Sequence, residues 1–367
     1  MTRARENANI SPAVGRNMII NGAMNVAARS SSVAGIGAAD GYFTVDRVNF
    51  AQATNAGRLT MSQTADGPNG ISANCLKLDC TTVDTSIAAD EAALLQWKLE
   101  GQNLQRIGKG VAGAKQLAVS FYVKGNASAT YTCELFDNDN GRCNGQTFAV
   151  TTDWTRVELI FPADEDDGSS PLDDDNAWSF SINIWIHAGA TYTGGTFTNG
   201  TWANSSSANI RVGSQSSFYS STDNNFFLTG VQMEVGPVAT DFEQEEISTT
   251  IAKCQRYFER RGTDLNGWEF ISDAGQLTSA TNYQCAIRFN EQMRAAPTMY
   301  LTGTLSNLKI IRAAALVTIT GITASDNTNG RTLLLYGTCA NSGGSAGEQT
   351  RIQTITPGTW VNFDAEL

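Results

Sequence analysis

Apolar and polar side chains alternate with a period of two along much of this chain, the signature of strands that bury one face. The clearest run is 178–186, with Trp178, Phe180, Ile182, Ile184 and Ile186 on one face and Ser179, Ser181, Asn183, Trp185 and the neighbouring His187 on the other. Leu117, Val119, Phe121 and Val123 repeat the pattern, as do Phe227, Val231, Met233 and Val235 before Gly236-Pro237 stops their strand. Further strand-like runs are 42–50, 76–79, 94–100, 131–136, 146–150, 209–212, 282–289, 310–322, 333–338 and 360–366. Leu95, Trp97 and Leu99 share a parity, so Trp97 reads as core. The polar stretch 137–141 carries Asn140-Gly141, a tight-turn pair, and predicts a hairpin. A tryptophan and a histidine on a Ser/Asn face, as at 185 and 187, predict a surface that either meets a partner subunit or stacks a ligand.

The expected architecture is all-β, and 367 residues leave room for two domains with substantial cores. Charged residues are 17%, below the usual quarter, which suits turns and hydroxyl-rich sheets better than charged helix surfaces. The partition read from the pattern is a stub over 1–15, a β domain over 16–247, a connecting segment over 248–261 and a smaller β domain over 262–367. Residues 2–13 are polar and Ala-rich, compatible with a short helix before Pro12, and read either as a frayed end or as an attachment point. The 25 Lys and Arg against 36 Asp and Glu give a net charge of −11, which argues against a sequence-independent grip on nucleic acid. The seven cysteines are scattered and odd in number, so free, mostly buried thiols are expected, with Cys133 and Cys143 flanking the hairpin as the one pair to test for a bridge. Residues 1–15 have no apolar core of a signal peptide, and no apolar run is long enough for membrane insertion.

Three stretches carry a family resemblance. Residues 231–243, Val-Gln-Met-Glu-Val-Gly-Pro-Val-Ala-Thr-Asp-Phe-Glu, followed by Cys254-Gln255-Arg256-Tyr257-Phe258, resemble a segment common in tail-fibre and other host-adhesion proteins of tailed bacteriophages. Residues 15–29, with Asn17-Met18-Ile19-Ile20-Asn21-Gly22, resemble the opening strand of these domains. Residues 42–50 resemble a third element, with Val48 where the family usually has Trp after Asp46-Arg47. Lesser matches are the strands at 116–125 and 151–161, the Met293-Arg294 to Pro297-Thr298 step, and the Ala365-Glu366-Leu367 ending, which implies a chain complete at that end. The resemblance implies a jelly-roll, carbohydrate-binding-module-like β-sandwich followed by a second, smaller β-sandwich. It also implies a virion protein assembled in the host cytoplasm and, as phage fibres are trimeric, a homotrimer. Its partners would be other virion proteins, reached through the N-terminal segment, and host surface polysaccharide.

Little in the chain supports catalysis: there is one histidine, and no P-loop or His-Glu-x-x-His. The expectation is a non-enzymatic adhesin. A purely structural head or neck fibre or decoration protein, and a glycan-depolymerising tailspike with paired carboxylates, are the alternatives. For sugar binding, an exposed aromatic face beside Asn, Gln or Arg is the physical need. The polar loop 189–207 offers Tyr192, Phe197 and Trp202 with Asn199 and Asn204, while Trp185 and Trp268 are second choices; the same aromatics would equally pin the loop. The acidic stretch 164–176 could offer calcium the carboxylates of Asp164, Asp166, Asp173 and Asp175, or simply be a solvated loop. Asp137, Asp139 and Asn140 form a weaker cluster with the same two readings.

Overall fold

The computed structural model describes residues 15–165, 171–205, 210–263, 268–312, 315–325 and 330–367. The attachment stub, apart from Gly15, and the calcium candidate Asp166 lie outside them. The chain forms two compact units, Met1–Thr250 with Leu367, and Ile251–Glu366. Among the described residues no helix is long and apolar enough to cross a membrane.

The first unit is a jelly-roll β-sandwich. In chain order its strands are β1 (Ser32–Ile36), β2 (Gly41–Tyr42), β3 (Asn49–Ala53), β4 (Arg58–Thr64), β5 (Cys75–Thr82), β6 (Ala92–Glu100) and β7 (Leu117–Gly125). They continue as β8 (Ala129–Asp137), β9 (Arg142–Val150), β10 (Thr155–Phe161), β11 (Trp178–Ala188), β12 (Ala203–Asn204) and β13 (Asn225–Val235). One sheet has the order β1-β4-β5-β13-β7-β10 and the other β12-β9-β8-β11-β6-β3-β2, so the chain changes sheet repeatedly between β5 and β13. The alternating apolar faces meet between them. Leu76, Leu78, Val119, Phe121, Leu228 and Met233 from the first sheet pack against Leu95, Trp97, Phe180, Ile182, Ile184 and Ile186 from the second.

Strand β13 lies in the middle of its sheet, between β5 and β7. Its ladder with β7 shifts between Thr229 and Gln232, where Gly230 takes φ +63 and any Cβ would strike the Tyr122 ring: a bulge that needs glycine. Residues 15–29, expected as a strand, have no regular structure. They run beside β13, with Met18 N donating to Met233 O at 2.8 Å and Val231 N to Gly22 O at 2.9 Å, and turn where Asn21 and Met24 take positive φ. The run 42–50 is likewise split into β2 and β3 by a turn in which Arg47 has φ +70. Residues 210–212 form no strand.

The family-like motif is a clasp. Gln232 and Glu234 are buried, and Glu234 accepts from Thr240 N and Thr240 Oγ1 at 2.8 Å each. Gln232 Oε1 accepts from Glu243 N at 2.8 Å, and the Glu243 carboxylate accepts from Asn17 N at 2.7 Å. The segment 236–243 thereby folds back onto β13 and ties down the start of the described chain.

Helix α1 (Ala190–Thr193) is one short turn in the first unit, and α2 (Ile247–Gln255) occupies most of the segment expected to be a mere connection. The second unit then has β14 (Phe258–Thr263), β15 (Glu269–Phe270), β16 (Ala274–Ser279), β17 (Asn282–Arg288), β18 (Thr298–Thr302), β19 (Leu308–Arg312), β20 (Ala315–Ala324), β21 (Thr332–Cys339), β22 (Gln349–Thr354) and β23 (Thr359–Asp364). The predicted strand 310–322 is in fact the antiparallel pair β19 and β20. A seven-stranded sheet, β15-β22-β16-β17-β21-β20-β19, curls until β19 also pairs with β22. The three-stranded sheet β14-β23-β18 shares its core through Val361 and Phe363.

All seven cysteines are buried and none forms a disulfide. Cys133 sits in the sandwich core, whereas Cys143 pairs opposite Phe136 on the outer face of the hairpin, so the two thiols point to opposite sides and cannot bridge. Burial pushes the thiols of Cys75, Cys80, Cys133, Cys143, Cys285 and Cys339 upward, Cys143 to about 12. With thiolate suppressed and access closed, the native chain is expected to resist Ellman's reagent at pH 8 and to release seven equivalents only in guanidinium. Rapid reaction of two or more thiols without denaturant would contradict this packing.

Candidate functional site

On β11 the apolar side chains enter the core, and the opposite face is covered as well: Ser179, Ser181, Asn183, Trp185 and His187 are all at most 2% exposed. That face is therefore neither a stacking surface nor a subunit contact; the chain covers it itself. Asn49, Gln96, Asn183 and Glu134 stand opposite one another on β3, β6, β11 and β8 and form one row across the sheet. Asn49 Nδ2 donates to Gln96 Oε1 at 3.2 Å, Gln96 Nε2 to Asn183 Oδ1 at 3.0 Å, and Asn183 Nδ2 to Glu134 Oε2 at 2.8 Å. Glu134, wholly buried, also accepts from Trp185 Nε1 at 2.8 Å and from Arg211 Nε and NH2 at 2.6 and 2.9 Å. Burial alone would lower the Arg211 pKa, but the Glu134 carboxylate outweighs it and the guanidinium is held above its ordinary value.

The aromatics of loop 189–207 anchor it to the sandwich, Tyr192 on the outer face and Trp202 against the core. Tyr192 packs on Trp185 with centroids 5.0 Å apart, and Trp202 lies 6.3 Å from Phe180 and donates from Nε1 to Pro162 O at 2.8 Å. Phe197 fills the space over Gly145 and Gly213, where a Cβ would collide with its ring. Asn199 Oδ1 accepts from Thr147 N at 2.9 Å, satisfying an amide on the edge of β9. Asn204 is exposed in β12, beside Arg142 in the register. The loop candidates are thus brought together, but as anchors, with their rings half-buried against the sheet.

The acidic candidates do not converge. Asp164 is buried and pairs with Arg142 through Nε at 2.8 Å and NH2 at 2.7 Å, and with Lys109 Nζ at 2.8 Å. Burial would raise its pKa, yet the hydrogen bonds from Arg142 and Lys109 hold it below the ordinary carboxylate value. With two cations on it, Asp164 has no charge left for calcium. Asp173 and Asp175 are exposed, and Asp175 Oδ1 caps Ala177 N at 2.8 Å. Asp137 accepts from Asn140 N and Nδ2 at 3.0 Å each, closing the β8–β9 turn.

An open aromatic surface lies instead on the second unit. A groove of about 660 Å³ is lined by Phe270, Ala274, Gly275, Ile311, Gln349, Thr350 and Arg351. Phe270 is 52% exposed with the Arg351 guanidinium 5.3 Å above its ring, and Trp268, two residues earlier, is 68% exposed. Apart from Trp268, none of these residues stood out in the sequence. Phe270, Ile311 and Arg351 are 41 and 40 residues apart and meet only through the curl that joins β15, β19 and β22.

No family model and no curated protein matches the chain. Solved structures similar to it include the enzymatically active domain of tailspike protein 4 of bacteriophage CBA120, at 12% identity and TM-score 0.31, over 60% of this chain and 22% of that one. A family 11 carbohydrate-binding module of Clostridium thermocellum is similar at 13% identity and TM-score 0.28, over 54% of this chain and 92% of that one. A CBM4 structure is similar at 10% and 0.30, over 59% and 99%. The chain thus spans about a fifth of the tailspike domain it resembles. At these values none of them carries a statement about chemistry.

Removing the hub of the buried row should be costly. Glu134→Ala leaves the partly buried Arg211 without its carboxylate and orphans the buried donors Asn183 Nδ2 and Trp185 Nε1, and is expected to cost about 3–5 kcal/mol in urea unfolding. Adding Arg211→Met should recover part of that loss, and strict additivity of the two substitutions would show that the pair is not coupled.

Proposed function

We propose that this protein is a glycan-binding adhesin on the particle of a tailed bacteriophage and that it breaks no bonds in its ligand. The observation that carries the reading is the groove lined by Phe270, with Trp268 exposed two residues before it in the chain. Burying a large aromatic side chain stabilises a protein by roughly 1.5–3 kcal/mol, so Phe270 left open in the groove and Trp268 left open two residues away in the chain are available to a ligand. The C–H face of a sugar ring suits such a platform, and Gln349, Thr350 and Arg351 supply donors and acceptors for its hydroxyls. The motifs at 15–29 and 231–258 support the phage assignment by resemblance. A wide surface groove, with no converging carboxylates among its lining residues, suits retention better than hydrolysis.

Retention of the purified chain on host surface polysaccharide is the test. Trp268→Ala and Phe270→Ala should each weaken retention roughly 2- to 10-fold, the loss expected for one aromatic contact, while circular dichroism stays unchanged. Trp202→Phe, which removes the bond to Pro162, should leave retention intact; if retention follows Trp202 instead, the loop is the binding surface. Falling viscosity of the polysaccharide would identify a depolymerase, and no retention at all would leave a structural particle protein.

A single shallow groove binds weakly, and attachment through several copies raises avidity by effective concentration. We extend the proposal to a homotrimer, supported by the exposed apolar side chains Leu316, Leu334 and Tyr336 on β20 and β21. Sedimentation equilibrium should give three chains per particle, and a monomer at micromolar concentration would remove this part of the proposal.

A further inference from the structure

Glu91, Asp84 and His187 form a second buried constellation in the first unit. Asp84 lies in the connection between β5 and β6, Glu91 immediately before β6, and His187 near the end of β11. They are 6%, 5% and 0% exposed, and one ligand atom from each lies within 4.8 Å of the others. His187 Nε2 is 3.0 Å from Glu91 Oε2, and Nδ1 is 2.8 Å from Ser217 Oγ. Asp84 Oδ2 accepts from Ala56 N at 2.8 Å.

Charge bookkeeping makes this cluster unusual. Two carboxylates are buried together, and among the described residues no Lys or Arg forms an ion pair with either. Glu134 and Asp164, the buried carboxylates described above, each have at least one cation in contact. Uncompensated buried charge is expensive, and protonating His187 would supply one positive charge for two negative ones. A divalent ion with a neutral imidazole balances the set completely. Two further buried groups stand nearby with hydrogen-bonding capacity unused. The hydroxyl of Tyr219, whose ring packs edge-on to His187 at 5.4 Å, has no partner, nor has Oδ1 of Asn55, the residue before Ala56.

We infer that Asp84, Glu91 and His187 bind one divalent first-row transition ion, with zinc as its natural probe. Imidazole and carboxylate together favour such an ion over calcium, which prefers oxygen ligands alone. Bonds of about 2.1 Å hold two ligands of a tetrahedral ion roughly 3.4 Å apart, so the His187–Glu91 pair at 3.0 Å opens slightly to admit the ion, while the other ligand atoms already lie within 4.8 Å. On binding, Nε2 carries the ion, the imidazole proton sits on Nδ1, and Ser217 Oγ accepts from it; Ser217 is thus a positioning residue that fixes the tautomer. The ion would join the exposed connection 83–91 to β11 at the foot of the loop that covers the sheet.

The chain contains a single histidine, so its imidazole resonances report on this site without ambiguity in a tag-free preparation. Titrating chelator-treated full-length protein with zinc should shift the His187 side-chain ¹⁵N signals with one-to-one stoichiometry by calorimetry and raise the melting temperature. Glu91→Gln keeps the shape of the site and should weaken zinc at least about tenfold, with Ser217→Ala giving a smaller loss. Should Glu91→Gln misfold, Asp84→Asn tests the same point from the other carboxylate. Unmoved His187 signals, or zinc affinity equal in the carboxylate variants and the parent, would overturn the inference and assign any bound ion to surface carboxylates.

Discussion

A strand buried on both faces, but apolar on only one, obliges every polar side chain on its second face to find a partner inside the protein. Strand β11 imposes that condition on the first unit. Its Asn183 is useful only because Gln96 and Glu134 flank it in register, and Trp185 can be buried because its indole N–H reaches Glu134. Glu134 in turn needs a cation, and Arg211 supplies it from beyond the covering loop. The loop is therefore a structural layer whose removal would expose a half-satisfied network, a worse state than an apolar core.

The clasp at 231–243 follows the same logic at the other sheet. Gln232 and Glu234 point away from the sandwich core, and local backbone N–H groups satisfy them as the chain turns back after Gly236-Pro237. A motif that looks like a signature of function is explained by how β13 ends. Its Gln232 and Glu234 are side chains that can accept from a backbone folded tightly upon itself.

These facts mark what alternation in the sequence conveys. The inward faces of β6, β7 and β11 from Phe180 on were legible because apolar periodicity is local, and Trp97 fell into the core as its parity required. On β13 the bulge at Gly230 switches the parity, so Phe226 and Leu228 enter the core in place of Phe227, and only Val231 and Met233 follow the expected face. Whether a polar face is open or covered depends on chain segments far away, and alternation is silent on it; hence the outer face of β11 was read as accessible. Loop aromatics carry the same ambiguity: Tyr192, Phe197 and Trp202 suit a sugar platform or an anchor, and the sheet beneath decides. Asp164 resembled a calcium ligand because its cations, Lys109 and Arg142, stand 55 and 22 residues before it. Residues 15–29 and 42–50 failed as regular strands where Asn21, Met24 and Arg47 take positive φ, a conformation that Asn favours but that Met and Arg do not announce.

The contrast between the two units follows from how each uses its polar and aromatic groups. In the first, aromatic rings and amides on the outer face satisfy one another, so little binding capacity is left there. In the second, the curl that brings β19 onto β22 leaves Phe270 beside Arg351 with water as their neighbour. An aromatic ring under a guanidinium keeps its exposed edge and resists collapse, because the cation–π contact holds both side chains in place without burying them. For the proposed glycan contact, such prior ordering would lower the entropy lost on binding.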